Sequence, residues 1–404
     1  MTIERIEATY RVVTPLFSTG ADPEQAAVRI PSFKGVLRWW WRALAWPRLG
    51  GKLDAIRAEE DALFGSARSG RGKVTMRLVR CNAPPPIRGG EALKDGGGAK
   101  PGARYLSYGV IEAPGQGGGR DRSRAFLNAP FTFTVELLAR VERDSSRRGS
   151  LLDALKAVGL LGGMGAKSRK GYGSLMLESL SIDGSASEQA PTSIDALADA
   201  IGQLLAAGRG ATELPAYTAI SSRTRAVLVS ADSRDTTPLG LLDRVGREIM
   251  RYRSKGRKSQ NGSGHVVLNE KSEGNFLRDH ELMREARPQD HPRRIVFGLP
   301  HNYREGNVEP EGQDRRASPL LIHMHQCGAS PIAVMTFLPA RFLPQGPAAR
   351  VKVNRQLVRI ADEDAKLWKP VEDLLDRFLN RDPSTAAKTR KEPFGDAIEV
   401  GGPR

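Results

Sequence analysis

Cysteine is scarce in this chain of 404 residues. Only Cys81 and Cys327 occur, far apart and outside any Cys-X-X-Cys pattern. A disulfide framework and a zinc finger both need more cysteines at closer spacing. We therefore expect a cytoplasmic protein whose fold depends on an ordinary hydrophobic core, with no metal and no other cofactor.

Long apolar runs are also missing. No stretch approaches the roughly 18 apolar residues that a membrane-spanning helix needs. The first residues of the sequence include Glu4 and Glu7 and lack the apolar region of a signal peptide, so they do not resemble one. No lysine-rich amphipathic helix with a bare apolar face is evident, so the sequence does not favour a membrane partner.

Acidic residues are fewer than basic ones. The chain has 62 lysines and arginines against 46 aspartates and glutamates, which gives a net charge of +16. A field of this sign attracts polyanions, above all nucleic acid. The length is sufficient for two domains, each with its own core.

The strongest local pattern is the tryptophan-rich stretch 30–46. A helix that begins near Ser32, a residue type that caps helices well, has an apolar stripe formed by Phe33, Leu37, Trp40 and Leu44. The neighbouring stripe is basic and is flanked by two tryptophans; its members are Lys34, Arg38, Arg42, Trp39 and Trp41. Cations beside exposed rings suit a polyanion with stackable bases. A core helix with a solvated basic face fits equally well.

The first half of the chain alternates between strand and helix patterns. We predict strands at 4–14, 73–81, 131–141 and 174–182, and helices from about 32 to 46, at 53–64 and at 150–159. Residues 83–124 are rich in proline and glycine, which indicates a long insertion with one short strand near Tyr105, Leu106 and Tyr108. The order β-α-β-β-α-β is typical of the ferredoxin-like fold, which RNA-recognition modules share. We place this first domain at 1–186.

The second half, 187–404, repeats this pattern less clearly. We predict helices at 194–207, 241–252, 275–284 and 362–379, and strands within 216–231 and at 294–299, 319–324 and 332–338. Pro370 should kink or split the last helix, and the polar end 381–404 should be a loose tail. The predicted class is α+β, with two tandem ferredoxin-like domains and a long Gly/Pro-rich insertion in the first.

A glycine-rich segment, 159–173, lies between the last predicted helix and strand of the first domain. Its sequence, GLLGGMGAKSRKGYG, holds six glycines and three cations, Lys167, Arg169 and Lys170. Glycines let backbone amides approach a phosphate closely, and the cations supply charge. The spacing is not that of a Walker A loop. A flexible surface loop is the alternative, but glycine and charge together favour contact with RNA.

Two other basic groups stand out. Residues 251–258 hold five basic residues and no acid, and Arg315 and Arg316 precede a predicted apolar strand. Such runs fit a solvated helix end or loop, and they also fit contact with a nucleic-acid backbone.

Few residues suggest catalysis or metal binding. His323 and His325 share a face of a predicted strand, but no third ligand is evident at a suitable spacing. Asp22, in the loop after the first strand, suits metal-assisted or general-base cleavage of RNA. A lone aspartate in a loop is more often a turn or capping residue.

Several of these motifs resemble a known family. Residues 31–44, PSFKGVLRWWWRAL, resemble the opening motif of RAMP superfamily proteins of CRISPR systems, and more narrowly the first subunit of the type III-B Cmr effector complex. Residues 162–173 are similar to the signature loop of that superfamily. Segments 297–300, 315–320 and 337–339 resemble the second half of the same subunit.

The resemblance implies two ferredoxin-like RAMP domains in an RNA-guided antiviral complex with other RAMP subunits. It implies a place near the 3′ end of the guide RNA, where the subunit helps to bind guide RNA, target RNA or both. It also implies a subunit that does not cut RNA. In this superfamily, backbone paralogues cut the target RNA with an aspartate in the loop after the first strand. Asp22 lies in the comparable loop, so a metal-dependent ribonuclease stays an alternative. A structural adaptor without RNA contacts is another.

Our predicted RNA-binding residues come from the tryptophan-rich helix, the glycine-rich segment and the later arginine pair. They are Lys34, Arg38, Trp39, Trp41, Arg42, Lys167, Ser168, Arg169, Lys170, Tyr172, Arg315 and Arg316. The cations would bind phosphates, and exposed rings would stack on bases. We expect the helix and the glycine-rich segment to converge on one groove.

Overall fold

The computed structural model describes residues 3–88, 100–111, 123–142, 145–258, 265–267, 270–360 and 366–402. Helices lie beside antiparallel sheets, which confirms the predicted α+β class. The elements of the first part are β1 (Glu4–Val12), α1 (Ile30–Arg48), α2 (Leu53–Phe64), β2 (Val74–Cys81), α3 (Pro101–Leu106), β3 (Phe131–Ala139), α4 (Ser146–Leu161), β4 (Leu175–Ile182) and β5 (Ser185–Gln189).

The first sheet has the strand order β2-β3-β1-β4-β5, and every neighbouring pair is antiparallel. Alternate residues of β1 are buried, as the sequence pattern predicts. Tyr10 is one of them, and its hydroxyl donates to the carbonyl of Leu155 on α4 at 2.9 Å. β5 continues this sheet to Gln189, beyond the predicted domain boundary at 186, which itself stays a prediction.

The second part contains more elements than the sequence predicts. They are α5 (Ile194–Ala206), β6 (Arg225–Ser230), α6 (Pro238–Arg253), β7 (Arg257–Lys258), β8 (His265–Val267), β9 (Glu270–Lys271), α7 (Leu277–Leu282), β10 (His301–Tyr303), β11 (Gly306–Pro310), β12 (Leu320–Cys327), β13 (Ser330–Phe337), β14 (Arg350–Val353), β15 (Gln356–Arg359), α8 (Lys369–Phe378) and β16 (Ala397–Gly401). Their sheets are ordered β12-β13-β6-β16, β10-β11-β14-β15 and β7-β8-β9. In the described part of the chain, no helix is long and apolar enough to cross a membrane.

Helix starts correct two predictions. α1 begins at Ile30 with Arg29 as its N-cap, not near Ser32, because Pro31 fits the first turn of a helix. α8 begins at Lys369, so Pro370 also lies in a first turn and does not kink the helix. Residues 362–365, predicted as part of that helix, lie outside the described residues.

Two further predictions for the second part, a strand and the loose tail, are also wrong. Residues 294–299 were predicted as a strand, but Arg293–Phe297 form a short 3-10 helix. The supposed loose tail contains β16, which pairs with β6 along five residues. Ile398 and Val400 explain this pairing, because they pack against the hydrophobic core from within an otherwise polar sequence.

The described part of the insertion forms a helix where a short strand was predicted. The backbone amides of Gly102 and Ala103, at the start of α3, donate to one carboxylate oxygen of Asp243 on α6, at 2.8 and 3.0 Å. Gly102 lies against Gly246 of α6, and neither position has room for a Cβ. α3 is thereby fixed on the second part of the chain. The glycine triplets at 96–98 and 117–119 lie outside the described residues.

A buried histidine pair joins the two parts of the chain. His323 Nδ1 lies 2.8 Å from the carbonyl oxygen of Gly162, so it donates to that oxygen, and His323 Nε2 lies 3.4 Å from His325 Nδ1. Both side chains are inside the core. Among the described residues, no group of three His, Cys, Asp or Glu side chains is arranged to hold a metal ion. The pair therefore serves packing and hydrogen bonding across the junction.

The histidine pair should make the fold sensitive to acid. Burial lowers the pKa of His323 to about 4 and lowers the pKa of His325 well below its ordinary value. The unfolded chain takes up protons near pH 6.5 and the folded chain does not, so stability falls as the pH drops below about 6.5. We expect the melting temperature of the His323→Asn/His325→Asn variant to fall less between about pH 7 and pH 5 than that of the unmodified protein.

The matched control is His265→Asn, in the small sheet β7-β8-β9. This variant should keep the full pH dependence of the melting temperature. Parallel melting curves for the double variant and the unmodified protein would contradict the interpretation.

Candidate nucleic-acid interface

The apolar stripe of α1 lies in the core, as predicted. Phe33, Leu37, Trp40 and Leu44 are all buried. Trp41 is fully buried as well, and its ring nitrogen donates to the hydroxyl of Ser150 on α4 at 2.9 Å. The buried face is wider than one stripe because α1 packs against α2 and α4 in addition to the sheet. Trp41 is therefore a core residue, and the prediction that it stacks on a base is wrong.

The basic stripe of α1 lies against α2. Arg38 Nε and Arg42 Nη1 both contact one oxygen of Glu60, at 2.7 and 2.6 Å. Lys34 Nζ donates to the carbonyl of Phe64 at 2.7 Å, at the C-terminal end of α2, where cations are favourable. Burial, with Arg38 as a second cause, lowers the pKa of Lys34. These three cations hold α2 in place, and any contact of theirs with RNA stays a prediction.

The glycine-rich segment forms a tight loop between α4 and β4. Gly171 has a φ of 85° and Lys167 a φ of 63°, a conformation that glycine adopts more readily than lysine. Tyr172 is fully buried in this loop, and its hydroxyl donates to the carbonyl of Ala103 in α3 at 2.7 Å. Tyr172 thus fixes α3, and the prediction that it stacks on a base is wrong. Ser168 is half-buried.

Arg169 connects the loop to both parts of the chain. Its carbonyl accepts from the amide of Ile322 on β12 at 3.1 Å, and its guanidinium donates to the carbonyl of Ser318 at 3.0 Å. The same guanidinium lies 5.0 Å from the ring centroid of Trp39, within cation–π range. The tryptophan-rich helix and the glycine-rich loop therefore meet at Arg169.

A groove of about 700 Å³ opens beside this loop. Its walls come from α3, the glycine-rich loop, the C-terminal end of α6 and the segment 297–302. The charged side chains among the described residues that line it are five cations and no carboxylate: Arg104, Lys167, Lys170, Arg253 and Arg316. A concave surface with this charge is suited to an anionic ligand.

Aromatic and neutral polar groups lie between these cations. Arg253 Nη2 lies 2.7 Å from Nε2 of His301, and its guanidinium lies 5.0 Å from the ring centroid of Phe297. Burial, followed by the charge of Arg253, lowers the pKa of His301 to about 2, so this imidazole is neutral and accepts from the arginine. Tyr105 and Tyr108 complete the aromatic lining, and Tyr108 is 76% exposed.

The pKa values of the two lysines of the loop are both lowered. Burial, with the charges of Arg124 and Arg315 as further causes, lowers the pKa of Lys167. Burial and the neighbouring Arg253 lower the pKa of Lys170 to about 7. Arg315 is exposed and close enough to Lys167 to influence it. The later arginine pair thus belongs to the same basic surface as the loop.

The structure brings together only part of the predicted set. Lys167, Lys170 and Arg316 line the groove, and Arg315 lies nearby. The groove residues that sequence reasoning missed include Arg104, Tyr105, Tyr108, Arg253 and His301. A signal existed for three of them, because the two tyrosines stood out in the insertion and Arg253 is part of the basic run 251–258. Within that run, only 251–256 have described side chains.

Asp22 lies in a tight turn. One of its carboxylate oxygens accepts from the amide of Glu24 at 2.8 Å, and its carbonyl accepts from the amide of Gln25 at 3.4 Å. The residue is exposed. These contacts are those of a turn-capping aspartate.

Comparison with known proteins finds a protein family that matches the first part of the chain. The model of the RAMP superfamily matches residues 9–176. This range contains α1 and the glycine-rich loop, the two motifs on which the resemblance was based. The resemblance to the RAMP superfamily is confirmed over residues 9–176.

The relatives are more specific. Two curated proteins of Pyrococcus furiosus are similar: CRISPR system Cmr subunit Cmr1-2 is 42% identical over 65 residues, 16% of this chain, and subunit Cmr1-1 is 29% identical over 154 residues, 38% of this chain. This chain spans 34% and 41% of their lengths. The crystal structure of Cmr1 from Pyrococcus furiosus in its apo form aligns with 91% of this chain and 97% of its own, at 20% identity and a TM-score of 0.52. The two chains share a fold.

Removing Glu60 should test the structural role of the basic stripe. Glu60→Ala leaves two partly buried arginines without their shared carboxylate, so we expect the free energy of unfolding to fall by about 2 kcal/mol. Chemical denaturation measures this loss. The control Glu281→Ala removes an exposed ion pair with Arg278 and should change stability by less than about 0.5 kcal/mol. Equal effects of both variants would contradict the assigned role of Glu60.

Proposed function

We propose that this chain is an RNA-binding subunit of a type III-B CRISPR effector complex, of the Cmr1 type, and that it binds RNA without cutting it. The family match over 9–176 and the similarity to two Cmr1 subunits support this assignment. The observation that carries the RNA-binding part is the groove with five cations and, among its described lining residues, no carboxylate.

The two parts of the chain are, in this proposal, tandem ferredoxin-like RAMP domains at 1–186 and 187–404. The strand orders support it. Counted within each part, the main sheets contain the same sequence of neighbours: β4-β1-β3-β2 in the first and β16-β6-β13-β12 in the second. When α2 and α3 are left aside in the first part, and β7 to β11, α7, β14 and β15 in the second, each set follows a β-α-β-β-α-β order along the chain, the ferredoxin-like pattern. The groove then lies at the junction between the two domains.

Cations that face no carboxylate among the described lining residues of a partly enclosed groove favour a phosphate ligand. Charges that are taken from water without a partner cost free energy, and a bound polyanion removes that cost. The contrast with α1 is informative, because Arg38 and Arg42 already share the carboxylate of Glu60. The groove cations are therefore the stronger candidates for contact with the RNA backbone.

Tyr108 is the base-stacking residue in this proposal. Its ring is exposed at the groove, whereas the ring of Trp39 is half-buried and in contact with Arg169. Bases stack on a protein ring only when they are unpaired, so the ligand is single-stranded RNA.

The place in the complex follows from the resemblance. We propose that the partners are other RAMP subunits, the guide RNA and target RNA, and that this subunit lies near the 3′ end of the guide. The geometry of Asp22, a turn-capping residue, favours a subunit that does not cut over the ribonuclease alternative. The groove cations, which share their described lining with no carboxylate, favour RNA binding over a purely structural adaptor.

The groove should determine the salt dependence of RNA binding. In the variant Arg104→Ala/Lys167→Ala/Arg315→Ala, we expect weaker binding of single-stranded RNA and a salt slope lower by about two units, at roughly 0.7 per phosphate contact. Fluorescence anisotropy over a salt series measures both.

The matched control removes three exposed cations that form ion pairs elsewhere, Arg234→Ala/Arg278→Ala/Arg350→Ala. It changes the net charge equally and should leave the slope nearly unchanged. The same loss in both triple variants would show that net charge alone, and not the groove, attracts RNA.

Stacking on Tyr108 should respond to the ring and not to the hydroxyl. Tyr108→Ala should weaken binding of single-stranded RNA by about 1–3 kcal/mol, the usual contribution of one stacked base. Tyr108→Phe keeps the ring and should bind like the unmodified protein. If the alanine variant binds as well as the phenylalanine variant, Tyr108 does not contact a base.

A further inference from the structure

The backbone of Lys170 is fixed in the wall of the groove. Its amide donates to the carbonyl of Lys167 at 2.7 Å, and the amide of Ile322 pairs with the preceding residue, Arg169. The following carbonyl, of Gly171, accepts from the hydroxyls of Thr14 and Ser174, at 2.7 and 3.0 Å. Because the backbone is held on both sides, Lys170 cannot leave the groove by a simple movement of the loop.

Among the described residues, the charged and titratable groups that surround Lys170 are cationic or neutral. Lys167 and Arg169 come from its own loop, Arg253 from α6 and His301 from β10. Arg104 of α3 and Arg316 line the same groove. His301 is neutral at every physiological pH, since its pKa is about 2. No carboxylate occurs among the described residues that line this space.

This arrangement disfavours a charged ammonium group in the free protein. Burial and the surrounding cations lower the pKa of Lys170 to about 7. Its charge is therefore present below that pH and is lost as the pH rises through it. A phosphate beside the amine acts in the opposite direction, because an anion favours the protonated form.

We propose that Lys170 takes up a proton when RNA enters the groove, so that RNA binding by this subunit is coupled to pH. The proposal rests on the proposed function and concerns the regulation of the same site. The other groove cations supply most of the attraction at any pH. Lys170 adds its charge only when the ligand is bound or the solution is acidic, and affinity therefore decreases from mildly acidic to mildly alkaline pH.

The experiment measures affinity for a short oligouridylate with the full-length chain at constant salt, between about pH 6 and pH 8.5. We expect about tenfold weaker binding at the upper limit. Isothermal titration calorimetry in buffers of different ionisation enthalpy should show net proton uptake at about pH 8.

Two variants assign the effect to Lys170. Lys170→Arg stays charged and should bind tightly across the range, whereas Lys170→Met stays neutral and should bind at the level of the unmodified protein at high pH. Both variants should lose the pH dependence. Lys352→Met, on the exposed face of β14, is the control and should keep it.

The outcomes separate this inference from the proposed function. Binding that is independent of pH, without proton uptake, overturns the role of Lys170 and leaves the groove as an RNA site. A pH dependence that persists in both Lys170 variants assigns the proton to another group and also overturns the inference. If the unmodified protein binds no RNA at any pH, the proposed function fails first.

Discussion

The hydrogen bonds between the glycine-rich loop and β12 determine the rest of this structure. Arg169 accepts from Ile322 and donates to the carbonyl of Ser318, and His323 contacts Gly162 a few residues away. These contacts fix the cations of the first part of the chain relative to those of the second. Neither part of the chain contributes all the walls of the groove. The groove therefore depends on these contacts, which fix the position of one part relative to the other.

Electrostatic pairing distinguishes the cations of α1 from those of the groove. Those of α1 are neutralised or held by α2, through Glu60 and the carbonyl of Phe64. In the groove, Arg253 lies beside the imidazole of His301 and the ring of Phe297, and no carboxylate occurs among the described lining residues. The α1 cations therefore contribute to the packing of α2, whereas the groove cations give a concave surface of positive charge.

Local periodicity was sufficient to predict much of the fold. The alternation in β1 and the stripe of α1 both appear in the structure, because each depends on neighbours close in sequence. Prediction failed where residues far away in the sequence determine whether a side chain is buried or paired. The sequence pattern predicted exposed rings for Trp41 and Tyr172. In the structure both rings are buried, and they donate hydrogen bonds to Ser150 and to the carbonyl of Ala103. Likewise, the division of the cations depends on Glu60, whose position relative to α1 no short window of sequence reveals.

The contact between Gly102 and Gly246 has a consequence for how this surface can evolve. The wall that carries Arg104 and Tyr105 rests on α6 through two residues without side chains, and neither tolerates a Cβ. One added methyl group at either position would clash with the facing backbone, push α3 away from α6 and widen the groove. The shape of the basic surface is thus set by steric exclusion at two positions that bear no charge. Substitutions there would change the shape of the groove without removing any of its cations.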